Sequence, residues 1–177
     1  MVCKTISPKI KNSSLLNFIV TNIQLNVWII HILIGRTNFD FMPTIKTTYI
    51  GDLRTIAIHL QSGCEIITDA PLDNYGKGES FSPTDLLAAS LGSCMLTIMG
   101  IAAKSHGISI IDTKAEITKI MAADPRRVAE IQIIFFMPKI IFSEKHQQIL
   151  VKSAHTCPVA LSLHPNLKQT IIFNFHK

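Results

Sequence analysis

The sequence lacks the cysteine patterns of metal-binding and disulfide-rich proteins. It has only four cysteines in 177 residues, and none of them lies in a CxxC pair. A zinc ribbon and a thioredoxin-type motif are therefore both absent. Four cysteines are also too few for a disulfide-dense secreted scaffold of this length. We expect a reduced, cytoplasmic protein whose thiols are either buried or used chemically.

The chain is also poor in charge, since 16% of its residues are charged and 47% are apolar. Residues 1–41 contain four basic side chains and one acidic side chain. They therefore carry a charge of +3, more than half of the net charge of +5. The remaining chain therefore has no basic face or arm for phosphates, which argues against a nucleic-acid partner. The histidines show neither HxxxH nor HExxH spacing, so we expect no metal and no cofactor.

Residues 1–41 differ in pattern from the rest of the chain. The uncharged run from Leu15 to Gly35 is long enough to cross a bilayer, but six of its side chains are polar and costly in hydrocarbon. Three interpretations stay open: an extension from a misplaced start codon, which we favour, a membrane anchor, and an ordered helical appendage. A well-patterned domain begins at Met42. We therefore divide the chain into an extension, 1–41, and a domain, 42–177, and do not expect a membrane partner.

Three β-strand patterns open this domain. They cover residues 44–50, 54–60 and 64–68, and Gly51-Asp52 and Ser62-Gly63 separate them. The β-branched residues and the glycine-containing turns predict consecutive hairpins. The following residues, 69–81, are rich in turn formers and are expected to form an exposed loop.

The strongest helix signal in the chain follows this loop. Ser82 is suited to the N-cap, Pro83 to the first helical position, and Asp85 to the partner position of a capping box. No charged side chain lies between Asp85 and Lys104, which predicts a helix that is buried nearly all round. Gly107 is expected to end it.

The rest of the domain predicts two long strands, two helices and a last strand. These elements cover residues 108–121, 128–137, 143–155, a short helix from Pro158, and 168–175. The resulting order, βββ-α-ββ-αα-β, is an α+β pattern.

Two of the cysteines, Cys94 and Cys157, occupy positions where they could do chemistry, although a free cysteine is commonly a small core residue. Cys94 lies about three turns into the central helix, beyond useful reach of the helix dipole. Its apolar surroundings disfavour the thiolate, so a reactive Cys94 needs a cation from elsewhere in the fold. Cys157 precedes a helix start, where backbone N–H groups favour an anion. This position predicts that Cys157 is the more acidic thiol.

Two segments resemble the osmotically inducible protein C and organic hydroperoxide resistance (OsmC/Ohr) family. They are PTDLLAASLGSCMLTIMGIAAKSHGI, which contains Cys94, and HTCPVALSLHPNL, which contains Cys157. The two cysteines are 63 residues apart, which suits the family. The resemblance covers about residues 43–176, and the lead-in GKGESFSPTDLL is closer to the OsmC-like branch than to the Ohr branch.

The resemblance implies an intertwined homodimer, with a long central helix against curved antiparallel sheets and an active site at each subunit interface. It also implies a thiol peroxidase in which Cys94 attacks a hydroperoxide and becomes a sulfenic acid. Cys157 would resolve that sulfenic acid as a disulfide, and a dithiol reductant, lipoyl or thioredoxin-like, would reopen it.

The chain departs from the family at the residues that activate the thiol. Well-studied members use an arginine from an early strand and a glutamate directly after the helix-starting proline, but here Thr84 follows Pro83. Arg54 is the candidate cation, and Glu79 and Asp85 are the candidate acids. Each of the three could instead be an ordinary surface charge. The alternative function is a homodimeric redox-sensing or ligand-binding protein without efficient peroxidase turnover.

Overall fold

The structure, a computed structural model, describes residues 43–176, so the predicted extension lies outside the described residues. The described chain forms two compact units. The first contains residues 43–49 and 56–66, and the second contains residues 50–55 and 67–176. The first unit includes a hairpin in which the His59 N–H donates to the Cys64 carbonyl oxygen at 2.9 Å.

The order of elements confirms the α+β prediction. The strands are β1 (Ile45–Gly51), β2 (Arg54–His59), β3 (Glu65–Asp69), β4 (Lys114–Ala123), β5 (Arg126–Phe136) and β6 (Lys168–Asn174). The helices are α1 (Pro83–Ser105), α2 (Glu144–His155) and α3 (Pro158–Ser162), and a short 3-10 turn covers Leu72–Asn74. The strands form two three-stranded sheets, in the orders β1-β2-β3 and β4-β5-β6.

The second sheet differs from expectation in two details. β4 and β5 are antiparallel, but β6 pairs with β5 in parallel, so this sheet is mixed. The parallel pairing needs a crossover, which α2 and α3 provide. The strand predicted from Ile108 begins only at Lys114, because the Ile108 N–H bonds the Ala103 carbonyl oxygen at the end of α1. Thr113 then closes a turn on Ile110 through both its N–H and its hydroxyl group.

Both predicted ends of α1 are confirmed. The Ser82 hydroxyl accepts from the Asp85 N–H at 3.1 Å, and the Asp85 carboxylate accepts from the Ser82 N–H at 2.7 Å. This capping box satisfies two of the backbone donors that a helix start leaves unpaired. At the other end, Gly107 has a φ of +65°, a conformation that glycine adopts at low cost.

The core of the second unit lies between α1 and β5. Three fully buried residues of α1, Leu91, Met95 and Met99, belong to the same apolar cluster as β5. Helix and sheet approach closely at Gly92, where a Cβ would lie 2.4 Å from Ile117 Cδ1. By length and composition α1 could cross a membrane, but its inner face packs as a core helix does.

The prediction that α1 is buried nearly all round is wrong for the chain as described. One face remains exposed and uncharged, and we call it the open face; it consists of Leu87, Ser90, Ser93, Thr97 and Ile101. The helix packs on a sheet along one side, so burial of its inner residues does not extend to the opposite side. The absence of charge from the open face therefore needs another explanation.

Candidate active site

The structure brings Cys94 and Cys157 together. Cys94 is half-buried on α1, whereas Cys157 is fully buried at the N-cap of α3. Both are free thiols, and Cys94 lies near enough to Cys157 to raise the pKa of the Cys157 thiol. Because α1 packs against α3, two residues that are far apart in sequence become neighbours. The two thiols are thus neighbours, one in a half-buried residue and the other in a fully buried residue.

The prediction that Cys157 is the more acidic thiol is not supported. Burial raises the pKa of Cys157, and the hydrogen bond with Cys94 raises it further. The Ala160 N–H donates to the Cys157 sulfur at 3.2 Å, which lowers the pKa without overcoming burial. The five-residue α3 is too short for its start to compensate a fully buried sulfur.

The predicted cation, Arg54, lies between two carboxylates. Its Nη2 donates to the Asp69 carboxylate at 3.2 Å and also contacts the Glu79 carboxylate. The side chain of Asp69 is 0% exposed, whereas that of Glu79 is 62% exposed. The backbone N–H of Glu79 and the Arg54 guanidinium lower the pKa of Asp69, although burial opposes them. Hydrogen bonds to Glu79 and Asp69 raise the pKa of Arg54.

Local folding explains this convergence. The hydroxyl groups of Thr55 and Thr68 are 2.6 Å apart across β2 and β3, which places Arg54 opposite Asp69. The loop after β3 then folds back on itself. Gly76 approaches Ala70 so closely that a Cβ would lie 1.7 Å from the Ala70 carbonyl oxygen. This return brings Glu79 to Arg54.

The other candidate acid, Asp85, is not part of this cluster. Its carboxylate accepts from the Ser82 N–H and forms an ion pair with Lys119 at 2.7 Å. Burial acts to raise the pKa of Asp85, but hydrogen bonds from Lys119 and Ser82 outweigh it and lower the pKa. Lys119 also donates to the hydroxyl group of Thr84 at 2.7 Å. Thr84, which stands where the family has a glutamate, thus accepts a hydrogen bond from a lysine.

An open cavity of about 630 Å³ lies beside this ion pair. Glu79, Asp85 and Lys119 supply its charges, and alanine and isoleucine side chains supply much of its apolar lining. Neither Arg54 nor Cys94 is among the lining residues. No hydrogen bond or ion pair within residues 43–176 joins Arg54 to Cys94. One described chain therefore holds the thiols and the cation as two separate groups.

Sequence reasoning missed Asp69 and Lys119. A signal for Asp69 was present, because the Ser62-Gly63 turn fixes the pairing of β2 with β3 and thereby places residue 69 opposite residue 54. Lys119 had no comparable signal, since its contact with the start of α1 spans 35 residues.

The raised pKa of Cys157 predicts slow alkylation at neutral pH. In a Cys94→Ser variant, we expect iodoacetamide to modify Cys157 appreciably only above about pH 8.5, the ordinary thiol range. Mass spectrometry of timed samples at several pH values measures the rate. Rapid modification at neutral pH would show instead that the helix start controls this thiol.

Comparisons with known proteins agree with the fold. The sequence model described as OsmC-like protein matches residues 76–171. One solved structure is that of a Psychrobacter arcticus protein, provisionally described as an osmotic stress induced and detoxification response protein. It is 58% identical to this chain and has a TM-score of 0.74. The match covers 77% of this chain and 99% of that one. No curated protein sequence matches.

Two more distant solved structures share the fold. The organic hydroperoxide resistance protein OsmC of Legionella pneumophila is 17% identical, covers 76% of this chain and 98% of its own, and has a TM-score of 0.59. The organic hydroperoxide resistance protein OhrB of Bacillus subtilis is also 17% identical and has a TM-score of 0.56. The match covers 75% of this chain and 98% of that one. The match over residues 76–171 and the 58% identity show that this chain belongs to the OsmC-like protein family.

Proposed function

We propose that this protein is a cysteine-based thiol peroxidase that reduces organic hydroperoxides or hydrogen peroxide. The observation that carries the proposal is the proximity of a half-buried Cys94 to a fully buried Cys157, where α1 packs against α3. The partly accessible sulfur can meet a peroxide, and the enclosed sulfur is placed to react with the product. Hydroperoxide resistance, ascribed to two proteins of the same fold, is consistent with this assignment.

The proposed reaction has three steps. The Cys94 thiolate attacks the terminal oxygen of the hydroperoxide; the O–O bond breaks, and the alkoxide takes a proton and leaves as an alcohol. The Cys157 thiol then attacks the Cys94 sulfenic sulfur and forms the disulfide, while its proton passes to the departing hydroxyl group, which leaves as water. A lipoyl or thioredoxin-like dithiol reduces that disulfide and becomes a disulfide itself.

We further propose that the protein acts as a homodimer through the open face of α1. This face has no charge, and two of its three hydroxyl groups donate within the helix. Ser90 donates to the Leu87 carbonyl oxygen at 2.7 Å, and Thr97 donates to the Ser93 carbonyl oxygen at 2.9 Å. Burial of the face against a second copy would therefore leave these two hydroxyl donors paired.

In the proposed dimer, Arg54 of one copy could lie beside a thiol of the other copy. Within one chain Arg54 contacts two acids, and Cys94 lies near Cys157. We propose that the Arg54 guanidinium of one copy faces the Cys94 sulfur of the other. A guanidinium beside the sulfur favours the thiolate and can hold the peroxide oxygen in line. We place this activity in the cytoplasm, where dithiol reductants are available.

The second candidate function is redox sensing or ligand binding without efficient turnover. The observation that favours it is Thr84, which occupies the position of the family's glutamate and bonds Lys119 instead of an arginine. The two functions differ in turnover.

Steady-state consumption of a hydroperoxide by the full chain with excess dithiol tests the peroxidase. We expect continuous turnover in the wild type and its loss in Cys94→Ser, because the serine hydroxyl is not a comparable nucleophile. Cys157→Ser should still consume about one equivalent per Cys94 in a single turnover. Consumption by the wild type that stops after one equivalent, despite excess dithiol, would favour the sensing function.

The cation role of Arg54 predicts a kinetic effect. Arg54→Ala should raise the apparent pKa of the Cys94 thiol and lower its rate of oxidation by about tenfold or more. Arg54→Lys should recover only part of the rate, because a point charge lacks the forked geometry. Stopped-flow oxidation at several pH values measures both quantities.

Arg126→Ala is the matched control. Arg126 also pairs with an aspartate, at 3.0 Å, but this pair is exposed. Its loss should leave both the rate and the pKa unchanged. If Arg54→Ala behaved like Arg126→Ala, another group would have to activate Cys94.

A further inference from the structure

Asp69 is a charged group in an unusual position. Its side chain is 0% exposed, at the last position of β3. A buried carboxylate is costly unless it is paired and hydrogen-bonded. One of its oxygens, Oδ2, has two partners, the Arg54 guanidinium at 3.2 Å and the Glu79 N–H at 3.0 Å. Asp69 thus connects the cation to the loop that carries the second acid.

The two acids around Arg54 are not equivalent. Glu79 is 62% exposed, so solvent screens its pairing and its side chain can leave at little cost. Asp69 is enclosed and is held by the backbone of the neighbouring loop, so it cannot leave Arg54 without moving that loop. Arg54 itself is 25% exposed, and its buried Nε has no hydrogen-bond partner among residues 43–176. The guanidinium is therefore held at one nitrogen, Nη2, by both carboxylates.

We propose that Asp69 is the positioning residue of Arg54 and performs in this chain the orienting task that the absent acid after Pro83 leaves unfilled. This inference rests on the proposed peroxidase function and assigns a residue that the sequence motifs do not include. Asp69 acts through Arg54 and touches neither the thiol nor the peroxide. It fixes the direction of a long, flexible side chain before the substrate arrives, which lowers the entropy lost in reaching the transition state.

A positioning role affects the pKa of the Cys94 thiol and the limiting rate of its oxidation differently. Loss of the Asp69 charge keeps the Arg54 cation, so the apparent pKa of the Cys94 thiol should move much less than in Arg54→Ala. Loss of the fixed geometry should lower the limiting rate at high pH, where the thiolate is already formed. A residue that only stabilises the fold would not produce this separation.

The test uses Asp69→Asn in the full chain and in an Arg54→Ala background. The asparagine side chain has nearly the same shape, and its amide oxygen can still accept from the Glu79 N–H. In the wild-type background we expect the limiting rate of Cys94 oxidation to fall about tenfold or more. In the Arg54→Ala background the same change should have less than about a twofold effect, because the residue it positions is gone.

Asp52→Asn is the matched control, since Asp52 pairs with Lys77 at 3.3 Å and is 78% exposed. It should leave the rate unchanged. If Asp69→Asn yields no folded protein, Asp69→Glu replaces it. The extra methylene displaces the guanidinium while keeping the charge, so the same fall in limiting rate is expected without a shift in the thiol pKa.

Three results would overturn the proposal. They are a wild-type rate in the Asp69 variant, an equal loss in both backgrounds, and a thiol pKa shift as large as that of Arg54→Ala. The wild-type trace tests the proposed function separately. A wild-type chain whose Cys94 does not react with peroxide would overturn the peroxidase and this role together, whereas a reactive wild type with an unaffected Asp69 variant would overturn this role alone.

Discussion

The packing of α1 on β5 determines where the reactive groups of the second unit lie. Leu91, Met95 and Met99 occupy one side of the helix and are fully buried, so the helix cannot rotate without exposing them. Cys94 precedes Met95 and is therefore held at the margin of the core. From there it lies near Cys157 and borders the open face. The same apolar packing thus sets the proximity of the two thiols and the partial exposure of Cys94.

The two thiols and the charged side chains of the site form separate groups within one chain. Burial keeps Cys157 protonated at neutral pH, and Cys94 lies too far along α1 for its dipole to act. The Arg54 cation is held by Asp69 and Glu79, and within residues 43–176 no hydrogen bond or ion pair joins it to either thiol. The proposed second copy on the open face would reconcile these observations, because it would bury an uncharged surface and could bring a cation to each Cys94.

The sequence predicted what local rules control. Ser82, Pro83 and Asp85 predicted the start of α1, because a capping box depends on four consecutive residues. It did not predict the late start of β4: the apolar alternation after Gly107 resembles a strand, but those residues close α1 and then turn.

The prediction for the site named residues that the structure places in separate groups, and it missed two of their partners. The family pattern identified both cysteines, and Arg54 followed from its strand. Asp69 and Lys119 act through contacts that are distant in sequence. The acidity of Cys157 was misjudged because helix position was considered without the burial that tertiary packing imposes. Burial of charged and titratable groups is the quantity that a single sequence reveals least.

The central claim is that Cys94 and Cys157 react with each other once a peroxide has oxidised Cys94. The most direct measurement is non-reducing peptide mapping of the reduced full chain after one equivalent of a hydroperoxide. The account predicts one dominant new linkage, between the peptides that contain Cys94 and Cys157. Progression of Cys94 to sulfinic acid while Cys157 remains a free thiol would contradict it.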